Sequence, residues 1–216
     1  MGDDQPARPD LAGRVDAIRV ELAGVHHARE AGLAACRRTI RAAGSAIRAV
    51  HRRDAERYAV LLGECRAAIT EAQAALAPYP SIAHAGFLHD AEKEYSEAVL
   101  TAALVDGTEA PDHITLAVGL PAWLNGLAEA ASELRRHLLD RLREGQVEVA
   151  EHLLVSMEDV YELLVGIDYP DAVTGGLRRS ADALRAVLER TRSDLTTTLL
   201  QVRLQAAIER RTLDTR

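Results

Sequence analysis

The chain has 216 residues, 48% of them hydrophobic but only 3% aromatic, and a formal net charge of −7 at pH 7. That length fits one ordinary domain with its own core. The negative charge excludes a general electrostatic attraction to nucleic acid or anionic membrane, while leaving room for a local basic surface. With so few aromatics, alanine, leucine and valine must fill the core, which predicts an all-α fold, an antiparallel bundle of about six or seven helices with long terminal helices. No apolar run approaches the roughly 18 residues of a membrane span. The polar, acidic start, Met1 to Asp10, does not read as a secretory signal, so a cytoplasmic location is expected.

Residues 1–9, broken by Pro6 and Pro9, read as a disordered tail ahead of a single helical domain over residues 10–216. From Asp10 to His51, apolar residues at three-four spacing (Leu11, Val15, Ile18, Leu22, Val25, then Leu33, Cys36, Ile40 and Ile47) predict one long helix. Gly24, Gly32 and Gly44 weaken it without ending it. A second helix runs from Asp54, a candidate N-cap, to Leu76, where Pro78 and Pro80 stop it. The third covers about Ile82 to Leu104 and closes at Asp106-Gly107. Pro111-Asp112 leads into a fourth, whose main body spans Pro121 to Arg143 and ends at Gly145. A fifth spans Val147 to Val165, Asp168 to Asp171 turn the chain, and a last long helix runs from Gly176 to Arg211. Cys36 and Cys65 fall on apolar helical positions without metal-ligand spacing, so both read as buried, reduced thiols.

Two carboxylate pairs carry the functional signal: Glu94 and Glu97 in the third helix, Glu129 and Glu133 in the fourth. Spacings of three and four put each pair on one face of its helix, one turn apart. Like charges there repel unless a cation or a shared proton lies between them. Ala91, Ala98, Val99 and Leu100 flank the first pair, and Leu124, Leu127, Ala128 and Leu134 the second. If the two faces meet, four acids converge on a spot suited to a hard divalent cation. A ferritin-like di-iron bundle would need Glu-x-x-His from two helices; the nearest arrangement here, Glu133 to His137, has spacing four.

The acids belong to longer strings, Lys93-Glu94-Tyr95-Ser96-Glu97-Ala98 and Trp123 through Arg136. These resemble the "QEYVEA" and "YLLGLADxxGELRR" strings of the translin family, closest to its translin-associated factor X branch and prokaryotic relatives. The resemblance continues through Met157 to Leu163, Asp168 to Asp171, Leu177 to Arg179 and Glu189 to Leu195, covering roughly Arg37 to the end. It implies a metal-dependent endoribonuclease, using Mg²⁺ or Mn²⁺, that binds and cleaves single-stranded RNA inside a closed homo-oligomeric shell, an octamer in its relatives. The family's acids carry over to Glu94, Glu97, Glu129 and Glu133. The expected roles are Glu97 and Glu133 as direct ligands, with Glu94 and Glu129 holding a water or acting as general base. Glu129 stands where the family has Asp, which moves the carboxylate by about 1.5 Å, and Ser132 stands where it has Gly. The alternative is a non-catalytic translin-like oligomer that binds single-stranded RNA or DNA; a third reading is a purely structural helical oligomer.

Arg37, Arg41, Arg48 and Arg52 recur along one stripe of the first helix, widened by Arg38, His51 and Arg53. Unaided, such a stripe reads as a solvated face pairing with acids such as Glu30 and Asp54. The resemblance turns it into phosphate contacts lining an RNA cavity. Arg135 and Arg136, just past Glu133, read as further phosphate ligands, unless one of them pairs with an acid. The aromatics are too few for a base-stacking platform, and Trp123 is assigned to the core or a subunit contact. The apolar residues of the last helix (Leu177, Leu184, Val187, Leu188, Leu195, Leu199, Val202, Leu204) exceed what one bundle buries and call for a partner helix.

Overall fold

The computed structural model describes residues 11–213; the tail expected at residues 1–9 lies outside the described residues. Every regular element among them is a helix. In chain order these are α1 (Leu11–His51), α2 (Ala55–Leu76), α3 (Pro80–Ala83), α4 (Phe87–Asp106), α5 (His113–Leu116), α6 (Leu120–Arg143), α7 (Val147–Val165), α8 (Asp171–Thr174) and α9 (Leu177–Leu213). Three are single turns of four residues. The other six are the expected long helices, and α1 and α9 are the longest, at 41 and 37 residues.

Local chemistry sets most of the ends. Asp54 caps α2 by accepting a hydrogen bond from the Arg57 amide at 3.0 Å. Gly107 takes the left-handed conformation that closes α4, and Pro121 sits in the first turn of α6, where its missing N–H costs nothing. The start of the third long helix differs from expectation. Ile82 is buried like a helical residue but belongs to α3, and the chain breaks at Gly86, with φ of +96°, before α4 begins at Phe87. Apolar spacing alone reads across such a one-glycine break.

The helices pack as two groups sharing a seam. One core gathers α1, α2 and α4 around Ala43, Leu61, Cys65, Ile69 and Tyr95; the other gathers α4, α6, α7 and α9 around Leu134, Leu138, Met157, Leu184 and Leu188. Each fully buried leucine contributes about 1.5–3 kcal/mol. Trp123 packs against both groups and donates its indole N–H to the Pro111 carbonyl at 2.9 Å. Asn125, buried in α6, donates to the carbonyls of Pro121 and Thr174 and accepts from the Ser180 hydroxyl, which fastens α6 to α8 and α9. Cys36 and Cys65 are buried and free, as expected. Burial above all pushes their thiols up to about 11 and about 12, leaving them unreactive.

The far ends of the terminal helices stand clear of both cores. Leu11, Val15, Ile18 and Leu22 of α1 are exposed, as are Leu200, Leu204 and Ile208 of α9. The apolar stripe of α9 is therefore divided: Leu177, Leu184, Leu188 and Leu195 are buried within the chain, while Val202 and Leu204 are not. Among the described residues no helix is long and apolar enough to cross a membrane.

Candidate metal centre

The seam between α4 and α6 is held open to close approach by one residue. At Gly126 a side chain would have no room: a Cβ there would lie 2.7 Å from the Ser96 Cβ, 2.8 Å from the Lys93 carbonyl oxygen and 3.1 Å from the Glu97 amide. The glycine lets the α6 backbone touch the α4 backbone between the two acid pairs. Ser132 is not part of this approach; its hydroxyl donates to the Ala128 carbonyl of its own helix. Farther along α4, Glu92 accepts from Gln73 Nε2 at 2.8 Å and from the Gly119 amide at 3.0 Å, and so anchors the start of α6.

With the backbones this close, three carboxylates converge. One oxygen each from Glu94, Glu97 and Glu129 lies within 4.8 Å of the other two. Glu97 is only 8% exposed, and among the described residues no donor hydrogen-bonds to its carboxylate. Burial, reinforced by the charges of Glu129, Glu94 and Glu133, pushes its carboxyl up to about 8. Burial also raises Glu94, against the lowering effect of Lys93. Three hard oxygen donors at this spacing, one of them from a largely buried residue, fit a divalent cation.

Two side chains not expected at the site complete it. The Lys93 ammonium donates to both carboxylate oxygens of Glu129, at 2.6 and 2.7 Å, and lies 3.4 Å from Glu94. Burial works to lower the Lys93 ammonium, but Glu129 and Glu94 outweigh it and hold it above its usual range. His51, the last residue of α1, places Nε2 2.7 Å from Glu133. Glu133 therefore stands apart from the convergent three, although its charge is felt at Glu97. Lys93 stands where the similar family string has Gln, a departure legible in the sequence, whereas His51 is 82 residues from the acid it holds and carries no such signal.

The arginines divide into engaged and unengaged groups. Arg135 donates to Thr191 and to Asp194, at 3.1 and 2.7 Å, and so locks α6 to α9. Arg48 donates to Ser45 of its own helix. Arg37, Arg41, Arg52 and Arg136 are exposed and, among the described residues, their guanidinium groups have no partner. The acids expected to pair with the α1 stripe are used elsewhere, Glu30 by Arg29 and Asp54 as the α2 cap. Arg41 faces α2, in a groove of about 610 Å³ with Arg38 and Arg57. Arg52 lines another, of about 490 Å³, beside His51 and Arg143.

No protein-family model matches the chain. An uncharacterized protein of Methanocaldococcus jannaschii is 28% identical over 191 residues, 88% of this chain and 84% of that protein. Among solved structures, archaeal AfC3PO in complex with duplex RNA shares 32% identity and a TM-score of 0.80, over 87% of this chain and 97% of that one. AfC3PO in a separate crystal structure gives a TM-score of 0.79 at 32% identity, over 87% and 98%. Apo-NeC3PO of Neurospora, 18% identical over 90% of this chain and 100% of that one, has the same fold, with a TM-score of 0.78.

Proposed function

The chain belongs to the translin family, and on that premise we propose that it is a metal-dependent endoribonuclease that binds and cleaves single-stranded RNA as a homo-oligomer. The observation that carries this reading is the convergence of the Glu94, Glu97 and Glu129 carboxylates, one oxygen of each within 4.8 Å of the others, with Glu97 itself only 8% exposed. Carboxylates held this close repel one another, and a divalent cation would offset that repulsion.

Glu94, Glu97 and Glu129 would hold the ion, Mg²⁺ or Mn²⁺ by the hardness of the donors. Such an ion, when bound, polarises a phosphodiester and makes a neighbouring water more acidic. Glu133, fixed by His51 and open to solvent on its other side, is placed to accept a proton from an attacking water. The unengaged guanidinium groups of Arg37, Arg41, Arg52 and Arg136 would grip RNA phosphates without reading sequence; Arg135 has a structural task instead. AfC3PO is described with duplex RNA, and the phosphate backbone is the feature that both RNA forms offer. Assembly would cover the exposed apolar ends of α1 and α9.

One observation favours a second reading, a non-catalytic shell that holds single-stranded RNA or DNA. Lys93 already forms ion pairs with two of the three convergent acids. Incubating the protein with labelled single-stranded and duplex RNA, in Mg²⁺, Mn²⁺ or EDTA, separates the two. Metal-dependent fragments that vanish in Glu97→Ala and Glu129→Ala support the nuclease. Retained but intact RNA supports the shell, and fragments undiminished by either substitution remove the assigned site.

A further inference from the structure

Lys93 is the one lysine of the chain, and its ammonium lies within the group of carboxylates assigned above to a cation. Both oxygens of Glu129 are committed to it, at 2.6 and 2.7 Å, and Glu94 Oε1 lies 3.4 Å away. Its side chain is 19% exposed, so solvent screens it only weakly. An ammonium is a compact point charge on a flexible four-carbon stem. It can offset part of the charge of a carboxylate cluster, and it can also leave it by rotating about its own bonds. A divalent ion bound to the same oxygens would meet a positive charge at close range, in surroundings that screen it poorly. The two cations therefore compete for one set of oxygens.

We propose that Lys93 and the divalent ion are alternative occupants of one site: the ammonium holds Glu129 and Glu94 together in the metal-free protein, and the ion binds by displacing it. This inference rests on the metal-site reading of Glu94, Glu97 and Glu129. Two consequences follow from the exchange. Lys93 sets the affinity threshold for the metal, because each binding event must break its contacts. The displaced ammonium also stays tethered beside the site, where it can meet an RNA phosphate, so metal loading and RNA binding reinforce each other.

Because the chain has a single lysine, one isotope-labelled residue reports the exchange in the unaltered protein. Lysine labelled at Nζ and Cε should show a shielded ammonium without metal. Titration with Mg²⁺ should move it to the position of a solvent-exposed lysine, with the midpoint that calorimetry gives for Mg²⁺ binding. In parallel, Lys93→Gln should bind Mn²⁺ on the order of 10-fold more tightly than the unaltered chain, and more so if the unaltered chain shows no measurable binding. If Lys93→Gln unfolds without metal, refolding on addition of Mn²⁺ supports the exchange and failure to refold overturns it. Metal binding with an unmoved Lys93 signal, or equal or weaker Mn²⁺ binding by a folded Lys93→Gln, overturns the exchange and leaves the metal site standing. No binding by either form, with no response at Lys93, removes the site and the exchange together.

Discussion

His51 Nε2 lies 2.7 Å from a carboxylate oxygen of Glu133, tying the last residue of α1 to the acid one turn beyond Glu129 on α6. The His51 side chain is 2% exposed and Glu133 37%, so the ring is the fixed member and the carboxylate the one being aimed. The other ring nitrogen, Nδ1, is buried with no hydrogen-bond partner among the described residues. The tautomer with its proton on Nε2 is the one that satisfies this contact. A second helix pair thus enters the site through a single bond.

If His51 positions Glu133, His51→Ala should lower the initial rate of metal-dependent RNA cleavage by about 10- to 100-fold, the usual cost of losing a residue that orients a functional group. His51→Gln keeps an N–H of similar reach and should retain more of the rate. Circular dichroism of both variants should show unchanged helix content. A His51→Ala enzyme with an undiminished rate would remove Glu133 from the proposed chemistry.

The Glu97 carboxyl gives the metal-free protein a defined pH dependence. Its ordinary value is 4.5, and burial, then the charges of Glu129, Glu94 and Glu133, raise it to about 8. Between those values the folded chain holds a proton that the unfolded chain has released, so stability falls as pH rises through that window. Urea unfolding of the metal-free protein between about pH 5 and about pH 9 should show the decline, and Glu97→Gln should flatten it. A divalent ion bound at Glu97 would replace the proton. Metal affinity should therefore climb with pH up to about 8, with about one proton released per ion near neutrality, read by calorimetry in buffers of different ionisation enthalpy.

Gly126→Ala should destabilise the fold by about 1–3 kcal/mol, as over-packing of a close contact does. Alanine is the better helix former by about 1 kcal/mol, but its Cβ would sit 2.8 Å from the Lys93 carbonyl oxygen and 3.1 Å from the Glu97 amide, where the backbone itself must yield. Urea unfolding measures the change. The same shift would part α4 from α6 and weaken Mn²⁺ binding, so the two losses should appear together.

The exposed stripe Leu200, Leu204 and Ile208 recurs every four residues on α9 and has no cover among the described residues. Replacing all three with serine should lower the assembly mass measured by light scattering at fixed concentration, while the monomer keeps its helix content. An unchanged mass would move the subunit contact elsewhere.

The helices were legible in the sequence because their punctuation is local: Asp54, Pro78, Gly107 and Gly145 act within a turn of where they stand. The start of α4 was less so, since Gly86 interrupts an apolar spacing that continues on both sides of it. At the site, the acids were legible as pairs but their grouping was not. Spacing four places Glu133 on the same face as Glu129 yet about 6 Å farther along the axis, enough to leave it outside the convergent three and beside His51. Which oxygens meet depends on where α4 and α6 cross, and that crossing is set by Gly126 against Ser96. Arg135 likewise reads as a phosphate ligand until α9 brings Asp194 alongside.

Residues 11–23 of α1 are exposed throughout, which at a rise of about 1.5 Å per residue makes a rod of roughly 20 Å that projects beyond both cores. A helix of that length gains little from its own hydrogen bonds in water. Its backbone amides should exchange with deuterium far faster than those of α6 in a dilute sample, and slow as concentration rises and a neighbour covers them. The rod is thus a built-in gauge: exchange at its amides counts assembled chains without any label or probe.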